Sequence, residues 1–159
     1  WLRKSQTTSR GSVVADFFDE LTTYLKAQAS ITSVIGSGTA CRLYPDGAKQ
    51  GATMPFAFME QVSGDSPSTL STSLRGCGVE METIDVFAVG STKAAAAELQ
   101  ESLRLKLQNY RGLMGSTHVR ECTIFGGKEQ GVDLPQDGSD ARRYWCKRSY
   151  QFWHDLATS

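Results

Sequence analysis

The sequence predicts an α+β fold, a mainly antiparallel sheet of about four to five strands with two helices packed on one face. Two segments, near residues 13–29 and 91–110, repeat apolar residues at three- and four-residue spacing, the period of one helical face. Shorter runs between and after them, 41–44, 56–63, 79–89, 117–125 and 142–153, are β-rich and bounded by turn residues. Their order is helix, two strands, a third strand, helix, two strands, which favours segregated helices over alternating parallel units.

The first helix is expected to start at a Ser12 cap and run to about Ala29, with Asp16 in its opening turns. Val14, Phe17, Phe18, Leu21 and Leu25 form its apolar stripe. Gly36 and Gly38 break the chain, and Cys41–Tyr44 reads as a short strand ended by the turn Pro45-Asp46-Gly47. Pro55 opens the next strand, in which Phe56, Phe58 and Val62 are expected to share one face. Gly64–Gly78 is rich in Ser and Gly and reads as a long loop.

Val79–Val89 carries the strongest strand signal, with a difficulty inside it. Val79 and Met81 alternate with Glu80 and Glu82, after which Ile84 and Val86 become the apolar set. A bulge near Thr83, or burial of both faces, is needed to reconcile the two phases. Ser91 or Thr92 caps the second helix, expected to end near Tyr110 with Gly112 as a stop signal. Leu99, Leu103, Leu107 and Tyr110 mark its buried face. Thr117–Phe125 is read as a strand and Gly126–Ala141 as a second polar loop. Arg142–Trp153 is read as a closing strand with Tyr144, Cys146, Tyr150 and Phe152 on one face.

With 159 residues the chain has the size of a single domain, expected over residues 13–159. Trp1–Ser12 is polar, basic and aperiodic, and is expected to be a flexible arm or an expression remnant. Seventeen basic residues offset seventeen acidic ones, so there is no basic footprint for duplex nucleic acid. Near-zero net charge also lowers self-repulsion, which favours protein–protein assembly. Purely apolar runs such as Ala94–Ala97 are too short to span a bilayer. Cys41, Cys77, Cys122 and Cys146 lack metal-knuckle spacing and are read as reduced thiols of a protein assembled in cytoplasm. One bridge between Cys122 and Cys146 stays open as an alternative.

No reaction centre emerges. Gly36-Ser37-Gly38 lacks the spacing of a nucleophile elbow, and no phosphate-binding glycine motif occurs. No cofactor, metal ligand set or catalytic residue is expected. His118 and His154 are read as surface or rim histidines, and Glu80, Glu82 and Asp85 as solvated positions, with Asp85 opposite the two glutamates. Arg142, Arg143, Lys147 and Arg148, interleaved with Tyr144, Trp145 and Tyr150, form the one basic concentration, read as a charge-protected edge.

Four segments taken together resemble the tail-completion, or tail-terminator, family of long-tailed bacteriophage neck proteins. They are Arg42-Leu43-Tyr44-Pro45, Met54-Pro55-Phe56-Ala57-Phe58-Met59, Ile84-Asp85-Val86-Phe87-Ala88 and Arg148-Ser149-Tyr150-Gln151-Phe152-Trp153, in order over about Val13–Asp155. The two long loops and the N-terminal arm depart from a minimal member. The resemblance implies a structural virion protein of the tail and neck, with no enzymatic activity. Its copies would form a ring, usually a homohexamer, capping the head-proximal end of the tail tube, stopping its polymerisation and meeting the head connector. Its partners would be other copies of itself, the tail tube protein and the connector or stopper protein. DNA would only pass through the lumen, and no membrane is involved. A closing head-to-tail interface needs complementary surfaces rather than catalytic groups.

Two readings compete with it: a head-completion or stopper protein at the same joint, and a small enzyme or ligand-binding domain using Glu80, Glu82 and His118. For the assembly reading, the candidate contacts are Val132 and Leu134, the large apolar residues of the Gly126–Ala141 loop, and the adjoining Arg142 and Arg143. That loop is expected to order on assembly.

Overall fold

The protein is described by a computed structural model covering residues 16–47, 51–65, 78–134 and 141–155. The expected arm, the Ser12 cap, Val14, Cys77 and most of the 64–78 loop lie outside the described residues. Helix α1 (Phe17–Lys26) is capped by Asp16, whose carboxylate accepts from the Phe18 amide. The expected first helix breaks at Ala27 and restarts as α2 (Ala29–Ile35), followed by a single 3-10 turn at Gly38–Ala40. Among the described residues three α-helices therefore replace the two expected.

Strands β1 (Leu43–Tyr44), β2 (Phe56–Asp65) and β3 (Val79–Gly90) precede α3 (Lys93–Leu107), and β4 (Gly112–Met114), β5 (Thr117–Asp133) and β6 (Arg143–Asp155) follow it. They form one six-stranded sheet in the order β1-β2-β3-β6-β5-β4. All neighbours run antiparallel except β1 and β2, which are parallel, so the sheet is mixed, and it curls strongly into a half-barrel. Sequence reading missed β4 because Gly112 looked like a helix stop; it opens a three-residue strand instead. Irregularities between Gln61 and Ser63, Val119 and Glu121, and Phe125 and Glu129 fall on the strands flanking the centre. Extra residues on flanking strands add twist and help to curl the sheet.

The central pair settles the phase problem in β3. Its register with β6 is unbroken from Val79↔Asp155 to Gly90↔Tyr144, so β3 itself carries no bulge. The slip lies in β2, opposite Thr83 and Ile84. Glu80, Glu82, Ile84, Val86 and Ala88 therefore share the helix-facing side, and Glu82 points inward. In β2 the expected face is inverted: Ala57 and Met59 enter the core, while Phe58 faces the other side and Val62 is exposed. β6 obeys its expected alternation, with Cys146, Tyr150 and Phe152 buried.

The core lies between this side of the sheet and the helices. Phe17, Phe18, Leu21 and Leu25 of α1, Ile31 and Ile35 of α2, and Leu99, Leu103 and Leu107 of α3 pack on Ile84, Val86, Tyr150 and Phe152. Thr92 caps α3 through its hydroxyl, which accepts from the Ala95 amide. Gly90 lets the N-terminus of α3 press onto β3, since a Cβ there would sit 2.8 Å from the Ala96 nitrogen. The thiols of Cys41, Cys122 and Cys146 are free and buried. Cys122 pairs with Phe152 and Cys146 with Gln130, so no bridge joins the two cysteines.

One polar clasp ties α1 to the opposite end of the sheet. The Glu20 carboxylate accepts from the Ser116 amide (2.8 Å), the Ser116 hydroxyl and the Thr117 amide (3.0 Å). The tight turn supplying these donors needs Gly115, whose φ is +61°, and a Cβ there would collide with the Glu20 carboxyl group. Burial disfavours the Glu20 charge, yet the bonds from Ser116 and Thr117 outweigh it and hold its pKa below the ordinary value of 4.5.

Two expectations follow from this core. Leu103→Ala removes a side chain with no solvent exposure and should cost about 2–5 kcal/mol, read as a shift in denaturant midpoint. A shift worth only a few tenths would place this helix face in solvent. A depressed carboxylate contributes stability above its unfolded pKa and loses it as pH falls through the folded value. Stability should thus drop as pH falls below 4.5, and more steeply in the wild type than in Glu20→Gln. Equal slopes for the two proteins would remove the clasp from the acid response.

Candidate assembly surface

The helices cover one side of the sheet, leaving the other side open around an aromatic row. Phe58 and Phe87 are direct partners across β2 and β3, and their rings stack at 4.4 Å with 5° between planes. Trp145 on β6 continues the row, 6.3 Å from Phe87. With Phe56 and Val89 they line a groove of about 320 Å³, bordered by Asp133 and Arg143. Sequence reading placed Tyr144, Tyr150 and Phe152 of the closing strand on one face, and the last two are buried. It missed this row because Phe58, Phe87 and Trp145 come together only through strand pairing.

Lys147 closes one end of the row. Its ammonium lies 5.8 Å from the centre of the Phe87 ring, between Glu129 (3.2 Å) and Asp85 (3.3 Å). The hydrogen bond to Glu129 and the nearby Asp85 charge raise its pKa against the opposing effect of burial. Asp85 also accepts from the Ser149 hydroxyl, which fixes it on the side opposite Glu80 and Glu82, as alternation requires.

The expected docking loop is mostly strand. Gly126–Asp133 belongs to β5 and pairs with β6 from Glu129↔Lys147 to Asp133↔Arg143. Glycines that suggested a loop serve the ladder instead. Gly126, at φ +85°, lies in the bulge, and Gly131 makes room for the Trp145 indole, which would lie 2.3 Å from a Cβ there. The entropy argument for ordering on assembly therefore fails for 126–133, while residues 135–140 lie outside the described residues.

The candidate contacts do converge at this end of the β5–β6 ribbon. Val132 is 51% exposed and Leu134 68%. Arg142 is exposed, Arg143 is half-buried opposite Asp133, and neither forms an ion pair among the described residues.

The competing site of Glu80, Glu82 and His118 does not assemble. His118 is exposed and faces Asp155 at 3.3 Å, beside the Arg120–Asp155 pair. His154, expected at the surface, is instead 3% exposed, with Nε2 3.2 Å from Glu82 Oε1 and Phe17 stacked on its ring at 4.2 Å. Burial opposes the imidazolium, yet the Glu82 hydrogen bond, the Asp155 carbonyl and the Glu80 charge hold its pKa above the ordinary value. Glu80 and Glu82 are therefore not a solvated strand face. The inward pointing of two glutamates opposite one histidine is visible only once the β3–β6 register is known.

No family model matches this sequence, and no curated protein matches it. Among solved structures, the fold has a likeness in a particle protein. A chain of the virion of the native gene transfer agent particle aligns over 86% of this chain and 93% of that chain, with TM-score 0.53 and 10% identity. The likeness is one of fold.

Gly131→Ala gives a direct test of the open face. The methyl group must displace the Trp145 ring, so stability should fall by about 1–3 kcal/mol and the indole emission should shift. Unchanged emission would mean that Trp145 does not lie across β5.

Proposed function

We propose that the protein is a structural component of a phage-like virion, acting as a tail terminator. Copies form a closed ring, a homohexamer in this reading, that caps the head-proximal end of the tail tube and meets the head connector. The observation that carries this is the fold shared with a virion chain along nearly the full length of both molecules. The surface agrees with such work: an open aromatic groove beside an exposed apolar tip at Val132 and Leu134, next to Arg142 and Arg143, which form no ion pair among the described residues. Apolar patches bordered by charge are the usual make-up of docking surfaces. Contact with DNA in this role is limited to its passage through the lumen.

A head-to-tail interface closes into one discrete species or, if the rotation does not close, grows into filaments. Negative-stain images of the protein mixed with purified tail tubes should show rings seated on one tube end. Attachment to portal-bearing heads without tube binding would assign the stopper position instead. Leu134→Asp and Arg142→Glu alter exposed side chains, so they should weaken tube capping at least about tenfold and leave the thermal midpoint unchanged. Undiminished capping by both variants would move the contact elsewhere on the molecule.

A further inference from the structure

We propose that Glu80, Glu82 and His154 form a binding site for a first-row divalent cation of the zinc type. One oxygen of each glutamate and one imidazole nitrogen lie within 4.8 Å of one another, with Glu82 and His154 buried and Glu80 half-buried. Glu80 is the direct strand partner of His154, and Glu82 reaches it diagonally from two residues along β3. The closest pair is already spaced as ligands are. Two atoms about 2.0–2.2 Å from a common tetrahedral ion lie roughly 3.3–3.6 Å apart. His154 Nε2 and Glu82 Oε1 are 3.2 Å apart. Rotation of the half-buried Glu80 side chain supplies the third ligand, and a water would complete four-coordination.

The histidine is held as a metal-binding histidine is held. Its Nδ1 lies 3.1 Å from the Asp155 carbonyl oxygen, which can only accept, so a ring that binds a metal through Nε2 keeps its proton on Nδ1 with a partner in place. Both ring nitrogens thus face acceptors, which a neutral ring alone satisfies at only one, whereas a proton or a cation at Nε2 satisfies both. The remaining oxygen of Glu82 accepts from Gln61 Nε2 at 3.3 Å, which turns Oε1 toward the ring. Phe17 stacks on the imidazole face and fixes its plane. A carbonyl behind the histidine and an amide behind the carboxylate are the outer partners that orient ligands.

Charge decides between a proton and a dication. Among the described residues His154 is the sole ion-pair partner of Glu82, and Glu80 has none. A protonated His154 leaves the trio with one net negative charge on a largely buried wall, whereas a dication with a neutral ring brings it to zero. Mixed nitrogen and oxygen donors suit zinc and its neighbours better than calcium or magnesium. The bound ion would fasten β3 to β6 directly beneath the first residue of α1. This proposal does not depend on the virion reading.

The test is titration of the metal-stripped full-length chain with zinc chloride by calorimetry, with cobalt(II) absorption reporting coordination number. The expected result is one ion per chain, a four-coordinate cobalt spectrum, and a rise in thermal midpoint on binding. Glu80→Gln, at a half-exposed position, and Glu82→Gln should each weaken binding at least about tenfold, with the far-ultraviolet dichroism of Glu80→Gln unchanged. His118→Ala should bind as tightly as the wild type, because it removes only the surface pair with Asp155. Absence of binding in the wild type overturns the proposal. Binding that survives Glu82→Gln and disappears in His118→Ala overturns it equally.

Discussion

The unbroken pairing of β3 with β6 is the constraint on which the rest of the molecule depends. Twelve successive partners, from Val79↔Asp155 to Gly90↔Tyr144, leave no residue by which either strand can change face. Once Ile84 and Tyr150 point at the helices, every second residue on both strands must do the same. That rule buries Val86, Ala88, Cys146 and Phe152, which is favourable, and it also turns Glu82 and His154 inward. Two titratable groups thus enter the interior as a consequence of register, and they meet there because their strands are neighbours. The irregularities are confined to β2 and β5, where a slip does not disturb this central pair.

Helix-on-one-side cover produces two unlike surfaces. Beneath α1, α2 and α3 lies an aliphatic and aromatic core with no exposure at Leu21, Leu99 or Leu103. On the far side, Phe58, Phe87 and Trp145 are half-buried and pack against one another. Strand neighbours bring the rings together: Phe58 and Phe87 face each other across β2 and β3, and Trp145 follows on β6. The groove they line is rimmed by Asp133 and Arg143.

Much of the fold was legible in the sequence, and the pattern of misses has a physical basis. The period of Leu99, Leu103 and Leu107 located α3, and the Thr92 cap fixed its start within a residue. The alternation through Cys146, Tyr150 and Phe152 gave the correct face of β6, because that strand's core side carries large apolar groups for most of its length. The same reasoning failed in β2, where small Ala57 enters the core and large Phe58 does not. Side-chain size is a poor guide when both faces of a strand are covered, one by helices and one by rings. Gly126–Asp133 was misread because composition reports what a segment lacks, while backbone pairing needs no side chain at all. That Val132, Leu134 and Arg142 are exposed was reachable from the polar make-up of the segment around them. The aromatic row and the Glu82–His154 contact were not, since each joins residues far apart in sequence through a register that no local signal specifies.

The long central ladder also sets how the molecule carries mechanical load. β3 and β6 run in opposite directions, so Val79 lies beside Asp155 and Gly90 beside Tyr144. Tension that enters near Val79 and leaves near Tyr144 pulls the two strands past each other, and the rungs between them must yield together. The same pull applied at Gly90 and Tyr144, on one end of the ladder, opens it rung by rung like a zipper. Resistance to traction is therefore directional, high along the strand axis and low at the end where β6 begins.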